Sequence, residues 1–372
     1  MSFDGLRLVV VGPLPPPAGG MANQTRQLAE LLRAAGAQVT LVQTNAPYRP
    51  RWAGRLPVLR AGFRLLPYLA ALWRACGRGE LMHLMANSGW SWHLFAMPAI
   101  VIARLRKVPV VVNYRGGEAG TFLRGAAGVV RLAMRRVAAL VLPSGYLQAV
   151  FSGYGMAGEV VPNIVDLSRF RPADARQGGG PHIVIARNLE TIYGIDVALR
   201  AFAQVLTAAP AARLSIAGTG PELAKLQALA DTLGVTASVR FTGRLDRDDM
   251  AALYRSADVM INASRVDNMP NSVLEALASG VAVVSTRVGG VPYIVEDERT
   301  ALLVPPDAPE PMAKAVVRLI EDDALRQRLV AAGLADVARY QWAAVSTPWL
   351  AVYRRALGQA PVPAAGTQEL RS

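Results

Sequence analysis

Two carboxylates eight residues apart are the side chains of this chain whose types and spacing most directly suggest chemistry. Asp267 lies in a polar stretch, and Glu275 lies in a short apolar segment that ends at Gly280. Pro270 before that segment and Gly280 just after it predict a helix between them. Such a helix directs unpaired backbone N–H groups at the preceding loop, where phosphate binds well, and it brings Glu275 within reach of sugar hydroxyls. The segment therefore predicts a sugar-nucleotide site.

The elements that must position this segment alternate between strands and helices along the chain. Apolar runs rich in β-branched residues, such as LRLVVVG, VPVVVNY, PHIVIAR and VAVVST, predict buried parallel strands. A stretch rich in Pro and Gly at 166–181 predicts a linker between two α/β domains. The expected divisions are domains at 1–165 and 182–340, a C-terminal helix at 341–357 and a tail at 358–372. Because open parallel sheets bind ligands at their carboxyl edges, we expect both domains to face a central cleft.

The cysteine content and the apolar segments indicate the cellular compartment to expect. The single cysteine, Cys76, excludes an intramolecular disulfide and fits a reducing compartment. The N-terminal residues predict a strand rather than a secretory signal. The segment 81–103 lacks charged residues, but Asn87 and Pro98 interrupt it, and its first part predicts a strand rather than a membrane span. We expect a cytoplasmic protein.

The net charge of +13 comes entirely from the first half of the chain. Residues 1–170 contain 19 basic and 6 acidic residues, whereas residues 171–372 contain 21 of each. The basic residues are interleaved with Trp, Leu and Phe between positions 49 and 78, which is typical of a segment that lies on an anionic membrane. A solvated basic face is the alternative, and no nucleic-acid motif supports that partner. The basic residues concerned are Arg49, Arg51, Arg55, Arg60, Arg64, Arg74 and Arg78.

Glycine-containing turns follow several of the predicted strands. Gly19 and Gly20 precede the first helix, where a phosphate or sugar could approach the backbone closely. The sequence there is not G-x-G-x-x-G, so a dinucleotide enzyme is disfavoured. Gly218, Gly220 and Arg244 follow later strands at positions where a base and ribose could bind. Each of these segments could alternatively be an ordinary turn.

Two further patterns predict structure rather than chemistry. The string Asp246-Arg247-Asp248 resembles a metal-binding D-x-D sequence, but it precedes an apolar helical pattern, where acids cap helices. His83 and His182 lie in or beside strands and are expected to be packed. We therefore expect no metal and no cofactor beyond the nucleoside-diphosphate sugar that serves as donor.

With these pieces placed, the chain resembles the retaining, metal-independent glycosyltransferases of family four, which have the two-Rossmann GT-B architecture. The strongest match is the segment 264–290, similar to the family's two acids separated by seven residues and followed by L-E-A-x-A-x-G-x-P-V-V. Supporting matches are Gly19-Gly20, VVPNIVDLSRFRP at 160–172 and AGTGPE at 217–222. The resemblance implies that the C-terminal helix returns to the first domain.

The resemblance also assigns roles to residues of this chain. Glu275 would hold the donor ribose, and Asp267 would hold the transferred sugar together with the loop that follows it. Gly19 and Gly20 would approach the diphosphate from the first domain. The loop consists of Asn268, Met269, Pro270, Asn271 and Ser272.

The chain departs from the family pattern where cations should stabilise the leaving diphosphate. Asp267 replaces the usual Glu, which shortens the side chain by one methylene. Asn188 stands at the position of the family's phosphate-binding Arg, and Tyr193 stands at that of its Lys. Arg187, Arg115 and Arg265 are the candidate replacements.

Arg115 also occupies the place of a His that the family often has after a strand of the first domain. We expect Arg115 to face the donor sugar or phosphate and to take a catalytic role beside Asp267.

These observations predict a hexosyltransferase that moves a hexose from a nucleoside-diphosphate sugar to a glycan or polyprenyl-linked acceptor. The setting would be bacterial polysaccharide biosynthesis at the inner face of the cytoplasmic membrane, with peripheral attachment through the basic half. A non-catalytic GT-B protein that binds sugar nucleotides or glycans, and an epimerase of the same architecture, are the alternatives.

Overall fold

The computed structural model describes residues 2–16, 19–48, 59–173 and 179–359, with only the backbone given for residues 59–61. The chain divides into two compact units. The first contains the residues up to Pro143, Leu147–Pro162 and the residues from Val345 onward, and the second contains Ser144–Tyr146 and Asn163–Ala344.

The first unit is built on a six-stranded parallel sheet with the order β2-β1-β3-β4-β5-β6. Its strands are β1 (Arg7–Gly12), β2 (Gln38–Gln43), β3 (Leu81–Ala86), β4 (Val110–Tyr114), β5 (Ala139–Leu142) and β6 (Glu159–Val160). Its helices are α1 (Gly20–Ala34), α2 (Leu59–Cys76), α3 (Met97–Leu105), α4 (Ala119–Met134) and α5 (Gly145–Ser152), and a π-helical turn (Trp92–Ala96) precedes α3.

The strand order fixes where the helices of this unit lie. Right-handed crossovers place α2, α3 and α4 on one face of the sheet, since each leads toward β6, and α1 on the other, since it leads toward β2. The segment 81–103 forms β3, the π-helical turn and most of α3. None of the helices in the described ranges has the length and apolar character needed to cross a bilayer.

The last helix, α12 (Trp342–Ala356), packs largely within the first unit. The Tyr353 hydroxyl lies 2.8 Å from Nδ1 of the buried His83 on β3, and the Trp349 ring lies 4.7 Å from the His83 ring. These contacts confirm that the C-terminal helix returns to the first domain, and they show His83 packed as expected.

The second unit has its own six-stranded parallel sheet, with the order β12-β11-β10-β7-β8-β9. Its strands are β7 (His182–Ala186), β8 (Arg213–Ala217), β9 (Val239–Gly243), β10 (Val259–Asn262), β11 (Ala282–Thr286) and β12 (Leu302–Val304). Its helices are α6 (Ile195–Ala208), α7 (Leu223–Thr232), α8 (Arg247–Arg255), α9 (Asn271–Ala278), α10 (Pro309–Glu321) and α11 (Asp323–Val337).

The region 310–331, which the sequence pattern predicts as one helix, forms two. The chain breaks at Asp322, whose carboxylate accepts a hydrogen bond from the Leu325 N–H at 2.8 Å and so caps α11. Apolar clusters pack in this unit around Phe202 and Leu329 in one group and around Tyr254 and Leu277 in another. The two parallel sheets confirm the predicted α/β fold with two Rossmann-like domains.

Candidate active site

The candidate site lies at the carboxyl edge of the second sheet, where β7 and β10 are neighbours. The strand order reverses at this point, because β7 leads to β8 on one side and β10 leads to β11 on the other. Ligands of open parallel sheets bind at such switch points. Arg187 follows β7 directly, and the loop that contains Asp267 follows β10.

The loop before α9 is held by a pair of glycines that follow β11. A Cβ atom on Gly289 would lie 2.0 Å from the Asp267 carbonyl oxygen, and one on Gly290 would lie 1.6 Å from that of Asn268. The Gly290 N–H donates to the Asp267 carbonyl at 3.0 Å. The Ser144 hydroxyl donates to the Asn268 side chain at 2.6 Å. The backbone of the loop is therefore fixed.

Helix α9 begins and ends where the sequence predicts. Pro270 precedes it in an extended conformation, and no side chain caps its first N–H groups. The Ser272 hydroxyl is buried there without a hydrogen-bond partner among the described residues. Gly280 ends the helix in the left-handed region with φ +67°, where L side chains are strained. The N-terminal turn of α9 can therefore bind an anion.

Arg187 is the partly buried cation of this site. Its Nε donates to Asn262 Oδ1 at 3.2 Å, its Nη2 donates to Ser264 Oγ at 3.3 Å, and its guanidinium lies 4.7 Å from the centre of the Tyr193 ring. It also forms an ion pair with Asp267. Burial lowers the pKa of Arg187 from its usual value.

Asp267 is engaged at both of its carboxylate oxygens. Oδ1 accepts the Asn268 N–H at 2.9 Å, and Oδ2 is the atom that pairs with Arg187. The residue is 8% exposed. Sequence reasoning assigned this carboxylate to the transferred sugar, whereas the structure shows it in contact with the nearest cation.

Glu275 lies one turn into α9, among two arginines and a tyrosine. Removal from water raises the pKa of Glu275 to about 7, although Arg247, Arg187 and a hydrogen bond with Tyr254 oppose that rise. The Tyr254 hydroxyl also donates to the Ser272 carbonyl at 3.2 Å, which ties it to the first turn of the helix. A carboxylate placed in this way can accept hydrogen bonds from two vicinal hydroxyls.

Two other residues of the second unit that were predicted to bind the donor, Asn188 and Arg265, have protein partners of their own. Asn188 is exposed and bonds Glu190 at 3.1 Å, so it does not join the Arg187 cluster. Arg265 binds both carboxylate oxygens of Asp196 at 2.9 and 3.0 Å and also pairs with Asp307 at 2.7 Å. Two carboxylates therefore already neutralise Arg265.

Gly218 and Gly220 allow the turn after β8 to approach the backbone that follows β7 closely. A Cβ on Gly218 would lie 1.8 Å from the Arg187 carbonyl oxygen, and one on Gly220 would lie 2.2 Å from that of Leu189. These glycines let the turn after β8 pack against the backbone that carries Arg187. Arg244 lies beside this turn, since its Nη2 donates to Thr219 Oγ1 at 3.2 Å.

The first-unit candidates lie at the carboxyl edge of their own sheet. Gly19 precedes α1 in an extended conformation, Gly20 begins the helix, and a Cβ on Gly19 would meet no atom of the described residues within 4 Å. Arg115 follows β4, where its N–H donates to the Ala86 carbonyl at 2.9 Å. Burial lowers the pKa of Arg115 to about 10.

Sequence reasoning missed Arg247 as a site residue. Asp246 caps α8 as expected, because its Oδ1 accepts the N–H groups of Asp248 and Asp249 at 2.9 Å each. Arg247 is thereby the first residue of α8, where it lies 3.6 Å from Asp166 and influences Glu275. The Asp246-Arg247-Asp248 string was the available signal, but it was interpreted through its acids as a helix cap. Among the described residues, no group of three His, Cys, Asp or Glu side chains could hold a metal ion.

Solved structures share this fold over almost the whole chain. Sucrose-phosphate synthase from Thermosynechococcus elongatus superposes with a TM-score of 0.78 at 22% identity, covering 95% of this chain and 99% of that one. Anabaena HepE in complex with UDP superposes with a TM-score of 0.70 at 16% identity, covering 93% and 98%. The fold is that of the GT-B glycosyltransferases.

Sequence comparisons identify the family. The family described as glycosyl transferase 4-like domain matches residues 19–163, and the one described as glycosyl transferases group 1 matches residues 180–322. A D-inositol 3-phosphate glycosyltransferase of Segniliparus rotundus is 30% identical, covering 91% of this chain and 85% of the relative. A phosphatidyl-myo-inositol mannosyltransferase of Mycobacterium tuberculosis is 27% identical, covering 91% and 94%. The chain belongs to the group 1 glycosyltransferases and is an enzyme that transfers a sugar.

Proposed function

We propose that this enzyme moves a hexose from a nucleoside-diphosphate sugar to a hydroxyl of a lipid-linked acceptor, with retention at the anomeric carbon and without a metal. The observation that carries the proposal is the arrangement around α9. The fixed loop 268–272 leads into the N-terminal turn of α9, which has no side-chain cap and favours the diphosphate, and Glu275 would supply a carboxylate for the ribose one turn further along.

The chemistry asks the protein mainly to position the donor and to stabilise charge. As the bond to the leaving diphosphate breaks, negative charge accumulates on the phosphate oxygens and positive charge accumulates at the sugar ring. The uncapped N-terminus of α9 favours the anion. A diphosphate oxygen can accept the proton of the acceptor hydroxyl, so the mechanism requires no strong general base.

The first unit contributes Gly19, Gly20 and Arg115 in this proposal. No side chain of the described residues would collide with a Cβ on Gly19, so internal packing gives no reason for glycine there, and close approach of a ligand does. Arg115 would provide a second partly buried cation. Substituting Arg115 with Ala should raise the donor KM or lower kcat about tenfold. Unchanged donor affinity and turnover would remove Arg115 from the site.

The acceptor is proposed to be carried on a membrane lipid, a polyprenyl diphosphate or an inositol phospholipid. The related enzymes named above act on inositol 3-phosphate or phosphatidyl-myo-inositol according to their names. Charge supports a membrane setting, because residues 59–136 contain twelve basic residues but only Glu80 and Glu118 as acids. We propose peripheral attachment to the inner face of the cytoplasmic membrane, in assembly of a bacterial surface polysaccharide or glycolipid.

The surface that would meet the membrane is the face of the first unit formed by α2, α3 and α4. We call its large exposed apolar side chains the apolar helical face. Leu66 and Leu105 are 68% and 66% exposed, and the guanidinium of Arg106 lies over the ring of Trp73 at 4.8 Å. Apolar side chains beside cations suit the interface of an anionic bilayer. The face consists of Leu66, Trp73, Val101, Leu105, Val129 and Leu132.

Part of the predicted basic segment lies outside the described residues. This applies to Arg49, Arg51 and Arg55 with Trp52 and Leu56, and to the side chain of Arg60. Of the others, Arg74 and Arg78 are exposed on or just after α2, and Arg64 lies over the Tyr48 ring at 4.2 Å.

A two-stage experiment tests the proposed function. Thermal shift with a panel of nucleoside diphosphates and their sugars should show one base and one sugar with the largest stabilisation. That donor is then incubated with phosphatidylinositol or a polyprenyl-diphosphate glycan in vesicles, with and without EDTA, and the anomeric configuration of the product is read by NMR. We expect transfer with retention in both conditions.

Other outcomes would contradict the proposal in recognisable ways. Binding of a donor without transfer or hydrolysis would favour a non-catalytic protein. Release of an epimerised free sugar without acceptor would favour an epimerase. Loss of transfer in EDTA would contradict metal independence, and an inverted anomer would contradict retention.

A further inference from the structure

Arg187 is held from several sides by elements that meet at the switch point. Asn262 at the end of β10 and Ser264 just after it accept its hydrogen bonds, and Tyr193 provides an aromatic surface for the guanidinium. Each contact comes from a part of the chain that is itself buried or tightly packed. The guanidinium therefore has a fixed place and is not a flexible surface cation.

The turn that presents Tyr193 is equally constrained. Gly194 follows it with φ +60°, and a Cβ at that position would lie 2.1 Å from the Ala263 carbonyl oxygen. This turn packs against the backbone leaving β10, directly before Ser264. Tyr193, which stands where the family has a Lys, thus takes a new role as the surface on which Arg187 rests.

Asp267 has the geometry of a residue that orients a cation. Its two carboxylate oxygens are used by Arg187 and by the Asn268 N–H. Removing an arginine from water without an acidic partner costs free energy, and the pairing with Asp267 offsets that cost. The shorter side chain of Asp, where the family has Glu, matches a partner that belongs to the protein and lies close by.

Resting on the proposed function, we propose that Arg187 is the cation that contacts the leaving diphosphate and that Asp267 is its positioning residue instead of a ligand of the transferred sugar. Tyr193 and Asp267 together aim one guanidinium at the site that the family's Arg and Lys would serve. In the transfer step, the bond between the anomeric carbon and the diphosphate oxygen breaks, and Arg187 stabilises the negative charge that the oxygen gains.

The two possible roles of Asp267 predict different affinities for a ligand that contains no transferred sugar. If Asp267 holds the transferred sugar, Asp267→Asn should leave the affinity for a nucleoside diphosphate unchanged. If Asp267 positions Arg187, the same variant should weaken that affinity. We therefore use whichever nucleoside diphosphate of the panel stabilises the wild-type protein most, with the corresponding nucleoside monophosphate as the control ligand.

We expect Arg187→Gln to weaken binding of the nucleoside diphosphate about 10- to 100-fold and to lower kcat by about 100-fold. Binding of the monophosphate should change much less. Asp267→Asn should show the same pattern with a smaller effect. In the double variant, Asp267→Asn should add little to Arg187→Gln, because a positioning residue has nothing left to position.

A charge-conserving variant guards against a simple loss of folding. Arg187→Lys keeps the positive charge that Arg187→Gln removes, and we expect its diphosphate affinity to be at least tenfold higher than that of Arg187→Gln. Arg299→Gln serves as a matched control, since Arg299 is an exposed arginine of the same unit that also pairs with two carboxylates, Glu296 and Asp336, and diphosphate affinity should hold.

Failure of this inference is distinguishable from failure of the proposed function. If the wild-type protein binds none of the nucleoside diphosphates of the panel, the proposed function and the inference fall together. If the wild-type protein binds one of them and Arg187→Gln leaves that affinity unchanged, only the inference falls. If Asp267→Asn weakens transfer but not diphosphate binding, and its effect multiplies with that of Arg187→Gln, Asp267 is a sugar ligand.

Discussion

The two units are built on the same plan but place their cations differently. Each has a six-stranded parallel sheet with crossover helices. In the second unit, Arg187 and Arg265 are paired with carboxylates at the sheet edge. In the first unit, many of the basic residues stand exposed among apolar side chains on α2, α3 and α4.

This difference fits the two proposed kinds of recognition, that of a sugar nucleotide by the second unit and that of a membrane surface by the first. Paired, partly buried charges have a fixed geometry and suit a small anionic ligand. Exposed cations between apolar side chains have no fixed partner and suit a broad surface such as a lipid headgroup layer. Among the described residues, nine of the ten large exposed apolar side chains lie in the first unit, and Tyr293 is the exception.

Glu275→Ala should have the largest effect, and it tests the proposed donor site of the second unit. Loss of the carboxylate that is proposed to accept two ribose hydroxyl hydrogen bonds should lower kcat/KM by about 100-fold, mostly through donor binding. Steady-state kinetics with the identified donor measures the effect. Glu321→Ala, on the surface of α10 in the same unit, is the control and should retain activity. Full donor affinity in Glu275→Ala would move the ribose site elsewhere.

A second test concerns the apolar helical face. Trp73→Glu and Leu105→Glu each remove apolar burial at a bilayer and add repulsion from anionic lipid, so each should weaken vesicle binding by about tenfold. Sedimentation with vesicles containing anionic phospholipid measures binding, and turnover of a water-soluble acceptor analogue should be unaffected.

Val160→Glu provides the control for those substitutions. Val160 is 41% exposed and lies on the edge strand β6 of the same unit, away from the three helices of the apolar helical face. Its substitution should leave vesicle binding unchanged. Equal losses in all three variants would point to a general charge effect, and no loss in Trp73→Glu or Leu105→Glu would remove the face from the membrane interaction.

A structural feature could be predicted from the sequence when the residues that determine it lie close together along the chain. The strands follow from local apolar runs, and the bounds of α9 follow from Pro270 and Gly280, so these elements were predictable. The pairing of Arg187 with Asp267 joins positions 80 residues apart. Only the neighbouring positions of β7 and β10 in the sheet bring those side chains together, and strand order is not readable from either segment alone.

The family motif places its phosphate-binding Arg at Asn188, and the sequence offered the adjacent Arg187 only as one of three candidate replacements. The motif points to Asn188, which is exposed, while the adjacent Arg187 turns into the site. Arg247 was passed over for a related reason, since its neighbours explained the string as a helix cap. Both cases show that a motif fixes the region of the site but not which of two adjacent side chains faces it.

The two units should also respond oppositely to pH. In the first unit, burial, and secondarily the charge of Arg115, lower the pKa of His83 to about 3. In the second, burial raises the pKa of Glu275 to about 7 against the influence of Arg247, Arg187 and Tyr254. Between about pH 4.5 and 6.5, the folded state therefore binds fewer protons than the unfolded state at His83 and more at Glu275.

The sign of each effect follows from that proton count. Stability from His83 rises with pH up to about 6.5, whereas the contribution of Glu275 falls as pH rises from about 4.5 to 7. Glu275→Gln should therefore stabilise the second unit by about 2 kcal/mol more at pH 7.5 than at pH 4.5, and His83→Gln should flatten the loss of stability of the first unit in acid. Hydrogen exchange at amides of β10 and β4, corrected for intrinsic rates, measures each unit separately. The same pH slope in both units, unchanged by either substitution, would show that these two buried groups do not set the difference.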